Sequence, residues 1–351
     1  MRAARIYGFG DVRIEEMPDP FPGPGEVVVR VRACGICTSD TLRWYIEKKT
    51  ASGPIVLGHE PAGEVAALGS GVTNYRVGDP IFLHHHAPCG CCRRCLRGDY
   101  VHCPTWRRSG IDPGGCAELV RVTAESVAGD SFALPAGMTP ERAALIEPLA
   151  CSVKALRRGK MKEGSHLFIL GLGVMGSMEV LLGRALGAEK IFGADFHPWR
   201  RAKGLELGCD AVFDPASGEL GEQLRDANEG EGADLVVVHP TSGEALEAGI
   251  DCAAAGGTVV IYSPCAPELS LPINPHDLYF DEVSLVPSYS CGPDDTRAAS
   301  RLIASGKFDT TKVVTHVLPL EEAQRAFDLT AAAGESLKVL VRLGPPEGAL
   351  R

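Results

Sequence analysis

The run CGCCRRCLRGDYVHC places Cys89, Cys92 and Cys95 at C-x2-C-x2-C spacing, with seven residues between Cys95 and Cys103. Four thiolates this close in sequence can close a tetrahedral sulfur shell around Zn²⁺ at little loop-entropy cost. Such a shell leaves no open position for a substrate, so it points to a metalloprotein and not yet to a reaction. Two other readings use the same residues. One is an iron–sulfur run, which has about three residues before its last cysteine; the other is a set of disulfides. Cys91 is a fifth thiol beside Arg93 and Arg94 and reads as a bystander.

A second set of donors is scattered. Cys37 in CTSD and His59-Glu60 in GHE offer sulfur, imidazole and carboxylate. That mixture suits zinc, and a catalytic zinc keeps three protein ligands with one position open. Taken singly, a Cys is a small core residue and a His an interior one. The case rests on their occurring together with the four-cysteine lobe and a nucleotide motif.

That motif is Gly171-Leu172-Gly173-Val174-Met175-Gly176, a G-x-G-x-x-G with an apolar strand before it and a helical pattern after it. The glycines serve a tight turn, close approach to a pyrophosphate and helix–strand packing, and the helix N-terminus offers N–H groups to phosphate. Asp195 ends the next strand-like run, where it would accept hydrogen bonds from both ribose hydroxyls and repel a 2′-phosphate. This favours NAD over NADP. A helix N-cap is the alternative role for Asp195. Arg200 and Arg201 follow closely; Arg200 is a further candidate for contact with the cofactor, and solvated helix charges are the plainer reading.

The elements that must position these residues divide the chain. With 351 residues it is long enough for two domains. Residues 1–149 read as short strands broken by Pro, Gly and Asp, such as Val27–Val31 and Pro80–Leu83. From residue 150 to 288, apolar runs at His166–Leu170, Lys190–Ala194, Leu235–His239 and Thr258–Ser263 alternate with helical patterns at Met178–Leu186, Arg200–Leu207 and Ala245–Ala254. Strand–helix alternation predicts a doubly wound parallel sheet. Residues 289–351 are expected to return to the first domain.

Composition narrows the function. Apolar content of 45% and charged content of 23% describe a globular α/β protein. A net charge of −10 without long runs of one sign gives nothing for nucleic acid or an anionic membrane to hold. The apolar stretches are too short to span a bilayer. Thirteen cysteines behind an N-terminus without an apolar leader predict reduced thiols and a cytoplasmic protein.

The ordered set CGICTSD, GHE, four-cysteine lobe, EPLA and GLGVMG resembles the zinc-dependent medium-chain alcohol dehydrogenases over essentially the whole chain, and most of all their sorbitol (polyol) and threonine dehydrogenase branch. The resemblance implies a GroES-like catalytic domain with a distorted barrel (1–149 and 289–351) and a Rossmann domain (150–288). It implies two zinc ions per chain. Cys37, His59 and Glu147 would hold the catalytic one, with Glu60 a ligand in some states and Cys151 a rival one helical turn after Glu147. Cys89, Cys92, Cys95 and Cys103 would hold the structural one. Ser39 would bond the substrate hydroxyl, Asp40 would orient His59, and Trp44 would line the substrate pocket, a buried core tryptophan being its alternative. Leu42 stands where many relatives have a proton-passing histidine. His84, His85 and His86 read as interior or surface residues whose alternate members would face opposite sides of a strand.

The expected activity is NAD-dependent interconversion of a secondary alcohol, a polyol, sugar or cyclitol, with its ketone, in a homodimer or homotetramer. Three alternatives stand beside it: a threonine 3-dehydrogenase-like enzyme, a nucleotide-binding protein without dehydrogenase activity, and a thiol redox sensor.

Overall fold

The computed structural model describes residues 1–344. Residues 345–351, the end of the segment expected to return to the first domain, lie outside the described residues. The chain forms two compact units. One comprises Met1–Ala150, Cys291–Gly306 and the chain from Val314; the other comprises Cys151–Ser290 and Lys307–Val313.

In the first unit a curled, mainly antiparallel sheet runs Val314–Pro319, Lys338–Arg342, Val27–Ile36, Glu60–Leu68, Pro80–Leu83, Ser131–Ala133. Val27–Ile36 is its centre. Val27, Val29, Val31, Cys34 and Ile36 are buried with Val339 and Val341 of the neighbouring strand in one core. β-Branched residues fit this pleated, two-sided burial. The register decides what gathers at one end. Gly35 pairs with Glu60, and Val339 pairs with Ile36. Cys37, His59 and Lys338 therefore emerge side by side from three adjacent strands. Ala62 pairs with Phe82. The chain past Leu83 brings the His85 ring to 4.9 Å from that of His59.

The second unit is a six-stranded parallel sheet in the order Ala211–Phe213, Lys190–Ala194, His166–Leu170, Ala233–Val238, Ala253–Ile261, Ser284–Pro287. Its strands are near-continuous apolar runs, such as the fully buried Leu167, Phe168 and Ile169, as expected where helices cover both faces. In chain order this is 3-2-1-4-5-6. The order reverses between His166–Leu170 and Ala233–Val238, which opens a crevice at their C-terminal ends.

Some local expectations shift. The helix after the glycine turn starts at Val174, not Met178, because Gly173 and Gly176 belong to the turn-and-first-turn geometry and interrupt the apolar period. The Ala245–Ala254 pattern divides into a helix, Gly243–Asp251, and a strand beginning at Ala253. The Pro80–Leu83 strand ends before the histidines, so strand alternation does not apply to them. Among the described residues, no helix is long and apolar enough to cross a membrane.

Candidate zinc and cofactor sites

The four-cysteine lobe is built from loops, a short helix, Arg93–Leu96, and a 3₁₀ turn, Tyr100–His102. The sulfurs of Cys89, Cys92, Cys95 and Cys103 all lie within 4.8 Å of one another. Cys89 and Cys95 are 3.9 Å apart and Cys92 and Cys95 3.5 Å. A tetrahedron with zinc–sulfur bonds of about 2.3 Å has edges of about 3.8 Å, so the sulfurs already stand at ligand spacing. They are well beyond the bond length of a disulfide, about 2.05 Å, and no disulfide joins any cysteine among the described residues. Backbone N–H groups serve the thiolates: those of Cys89 and Thr105 donate to Cys103 Sγ at 3.3 and 3.4 Å. N–H groups of Cys91 and Cys92 pull the Cys89 thiol down to about 6. Cys91 is exposed, 3.7 Å from Cys89 Sγ.

The second set lies at the end of the curled sheet. Donor atoms of Cys37, His59 and Glu60 are mutually within 4.8 Å. Ser39 Oγ donates to Cys37 Sγ at 3.3 Å. Asp40, 2% exposed, lies 3.3 Å from His59 Nδ1 through Oδ1, the arrangement that fixes a ligand histidine and leaves Nε2 for a metal. Burial lowers the affinity of His59 for a proton, but the charges of Asp40 and Cys37 outweigh it and raise its pKa well above the ordinary value. This end of the sheet is thus electrostatically set to receive a cation. The buried Asp40 Oδ2 and His85 Nδ1 have no hydrogen-bond partner among the described residues.

Glu147, second residue of the Ile146–Arg158 helix, groups with His84 and His85. The two donor sets adjoin: the rings of His59 and His85 are 4.9 Å apart. Burial, then the neighbouring His84 and His59, hold His85 well below the ordinary histidine range, and burial holds His86 down at about 4. Both are neutral imidazoles, the form that ligates metals. Cys151 lies four residues beyond Glu147 on the same helix. Trp44 is 57% exposed and edge-on to Tyr45 at 5.8 Å, which rules out the buried-core reading.

In the second unit, Gly176 shows why glycine is required: a Cβ there would stand 2.1 Å from the Gly171 carbonyl oxygen. Gly173 caps the Val174–Ala185 helix, whose first N–H groups face the turn. Asp195 accepts from the Leu172 N–H through Oδ2 at 2.9 Å and from the His197 N–H through Oδ1 at 2.8 Å. The next helix is capped by His197 and not by Asp195. Arg200 lies 3.7 Å from Asp195 Oδ2. Arg201 is occupied by the Asp195 and Phe196 carbonyls and by Asp214.

Two family models match the chain: the alcohol dehydrogenase GroES-like domain over residues 23–130 and the zinc-binding dehydrogenase over residues 174–305. Human sorbitol dehydrogenase is 31% identical over 354 residues, covering 97% of this chain and 96% of the relative. The chain belongs to the zinc-dependent medium-chain alcohol dehydrogenase family, in its polyol dehydrogenase branch. D-xylulose reductase A of Aspergillus niger is 29% identical over 96% of this chain and 95% of its own. A zinc-binding dehydrogenase of Sinorhizobium meliloti, solved with NADP bound, is 30% identical, with a TM-score of 0.85 over 97% of this chain and 98% of that one. As a medium-chain alcohol dehydrogenase the protein is an oxidoreductase, which sets aside the reading as a nucleotide-binding protein without activity.

This family member carries features that its sequence motifs do not announce. Lys338, 1% exposed, donates to both carboxylate oxygens of Glu60 at 2.8 Å and to the Ile36 carbonyl at 3.3 Å. Burial pulls its ammonium down, but Glu60 and Cys37 outweigh that and hold it raised. Gly35 makes room for the pair, since a Cβ there would lie 1.8 Å from Glu60 Oε2. His84 is fully buried, with Nδ1 2.8 Å from Asp130 Oδ2 and Nε2 4.0 Å from Glu147 Oε1. Thr296 Oγ1 donates to Asp130 Oδ1 at 2.7 Å. A lysine in a C-terminal strand and an aspartate forty-odd residues from its histidine leave no local signal; only the sheet register could have predicted them.

Proposed function

We propose that this chain is a zinc- and NAD(H)-dependent oxidoreductase that interconverts a secondary alcohol, of polyol, sugar or cyclitol class, with its ketone. The observation that carries this reading is the convergence of Cys37 and His59, with Asp40 behind His59, at one end of the sheet. Cys37, His59 and Glu147 would hold the reactive zinc, and Cys89, Cys92, Cys95 and Cys103 the structural one. The donor set fits: thiolate, imidazole and carboxylate with a position left open. When bound, the reactive zinc supplies Lewis-acid polarisation of the alcohol oxygen, and the nicotinamide ring accepts the hydride.

The chain's own residues have definite tasks. Asp40 Oδ1 holds His59 by Nδ1 and so fixes the tautomer. Ser39 Oγ takes the proton of the substrate hydroxyl. Lys338 ties both oxygens of Glu60 and keeps that carboxylate from closing the shell, which makes Glu147 the resting carboxylate ligand. Leu42 cannot pass a proton, so Ser39 Oγ would release its own proton to solvent by another route as it accepts the substrate's. Gly171, Gly173, Val174, Met175 and Gly176 would cradle the pyrophosphate of the dinucleotide, and Asp195 would receive its adenosine ribose. The resemblance also supports a homodimer or homotetramer.

Arg200 favours a second reading for the cofactor. Its guanidinium stands 3.7 Å from Asp195 and offers a counter-charge to a 2′-phosphate, and the S. meliloti relative was solved with NADP. One experiment tests the proposal: zinc content per chain, followed by a reduction screen with NAD⁺ and NADP⁺ over polyols, cyclitols, simple secondary alcohols and L-threonine. Two zinc ions and polyol-dependent NADH formation are expected. A protein with zinc confined to the lobe, or without turnover on any polyol, sugar or cyclitol, would sink it.

A further inference from the structure

The switch-point crevice has two sides. Asp195 follows the strand on one side of His166–Leu170, and His239 follows the strand on the other, Ala233–Val238. The His239 N–H donates to the Leu170 carbonyl at 3.0 Å, and a Cβ built on Gly171 would lie 3.1 Å from the His239 Cβ. The imidazole is therefore fixed against the turn that cradles the pyrophosphate. It is also braced from behind. His239 Nε2 is 2.8 Å from Glu179 Oε2 on the Val174–Ala185 helix, with side chains 12% and 0% exposed. The ring lies 4.5 Å from that of Tyr262. Glu179 Oε1 has no hydrogen-bond partner among the described residues, so His239 on Oε2 is the partner this carboxylate has among them. A buried carboxylate needs a hydrogen-bonded partner to offset desolvation, and His239 is that partner.

We infer that His239 is a cofactor-binding residue whose Nδ1 accepts a hydrogen bond from a hydroxyl of the nicotinamide-side ribose, with Glu179 as its positioning residue. The inference rests on the nicotinamide reading above. With the Glu179 carboxylate accepting from Nε2–H, Nδ1 is the ring nitrogen left to accept. That nitrogen has no hydrogen-bond partner among the described residues, and the ring retains an accessible edge. Neighbouring strands are about 4.8 Å apart, so Asp195 and His239 flank the pyrophosphate turn by about one strand on each side. A dinucleotide whose pyrophosphate sits on that turn places one ribose toward Asp195 and the other toward His239.

The test measures dissociation constants of NADH, ADP-ribose and ADP with the full-length protein. ADP-ribose has the second ribose and ADP lacks it. His239→Phe is expected to weaken NADH and ADP-ribose about tenfold and leave ADP within about twofold, the size of one hydrogen bond lost. Glu179→Leu should move the same two ligands in the same direction. Glu179→Gln, whose amide oxygen still accepts from Nε2–H, should restore them. Unchanged NADH and ADP-ribose binding in His239→Phe overturns the inference while leaving the cofactor reading intact. So does an equal loss for ADP, or a loss that Glu179→Gln fails to rescue. A wild-type protein that binds none of the three ligands overturns both.

Discussion

The four-cysteine lobe and the Cys37 end of the curled sheet are both metal-ready, and they are built in opposite ways. In the lobe, all four donors come from residues 89–103, and loop N–H groups stabilise the thiolates. At the sheet end, the donors are drawn from Cys37, His59, Glu60, His84, His85 and Glu147, and strand register, the loop after Leu83 and the helix that carries Glu147 bring them together. The lobe satisfies every sulfur with its neighbours and leaves nothing to react. The sheet end holds more donors than one ion needs and ties one carboxylate to Lys338. Local sequence can write a closed shell; an open one depends on tertiary structure.

The comparison breaks most sharply at Cys103. A structural zinc contributes folding free energy outright, about 10–16 kcal/mol in isolated zinc-binding peptides. Loss of one of four thiolates should cost on the order of 5 kcal/mol or more, read as a fall in melting temperature with one zinc lost. A Cys103→Ser protein that keeps its melting point but loses turnover would reverse the roles assigned to the two sites. Cys37→Ser should do the converse. Turnover should fall about 10³-fold, about 4 kcal/mol of transition-state stabilisation, with the melting temperature within a few degrees and the lobe zinc retained. If metal analysis finds both zinc ions still bound and turnover intact, Cys37 is no ligand.

Lys338→Met sharpens the contrast from the protein side. It strands Glu60, which is 1% exposed, in a buried site. Breaking a buried pair by removing one partner typically costs about 3–5 kcal/mol, so denaturant unfolding should show a loss of about 3 kcal/mol, largely recovered in Lys338→Arg. A change below about 1 kcal/mol would mean that the free carboxylate finds another cation, and that the lysine does not hold it off the metal.

What was legible in sequence follows the same division. The lobe, the glycine turn and the parallel-sheet alternation are local patterns, and the α/β architecture they predict, a β-rich unit and a doubly wound parallel one, is the one observed. Cys37, His59, Ser39 and Asp40 were legible as types and by resemblance, and the structure sets Ser39 on Cys37 and Asp40 on His59. Lys338, Asp130 and the His59–His85 contact were not, because nothing within ten residues of any of them hints at its partner. The histidine triplet was expected on a strand. It lies past the end of one, and burial differs along it: His84 is fully buried while His85 and His86 keep some exposure. The helix after Gly173 was placed four residues late because glycines that pack tightly look, in sequence, like breakers.

The smallest expected effect concerns Asp195, and it separates two roles that one carboxylate plays at once. Asp195 braces the glycine turn by accepting the Leu172 and His197 N–H groups, and it is proposed to face the adenosine ribose. Asp195→Ala removes a negative charge that repels a 2′-phosphate and leaves Arg200, now 3.7 Å from that carboxylate, to attract one. The ratio of kcat/KM for NAD to that for NADP should fall about tenfold, about 1.4 kcal/mol. Arg200→Ala should move the ratio the other way, by removing the counter-charge. Loss of the brace alone would weaken both cofactors in equal proportion and leave the ratio fixed. An unchanged ratio in Asp195→Ala would therefore confine that residue to holding the turn.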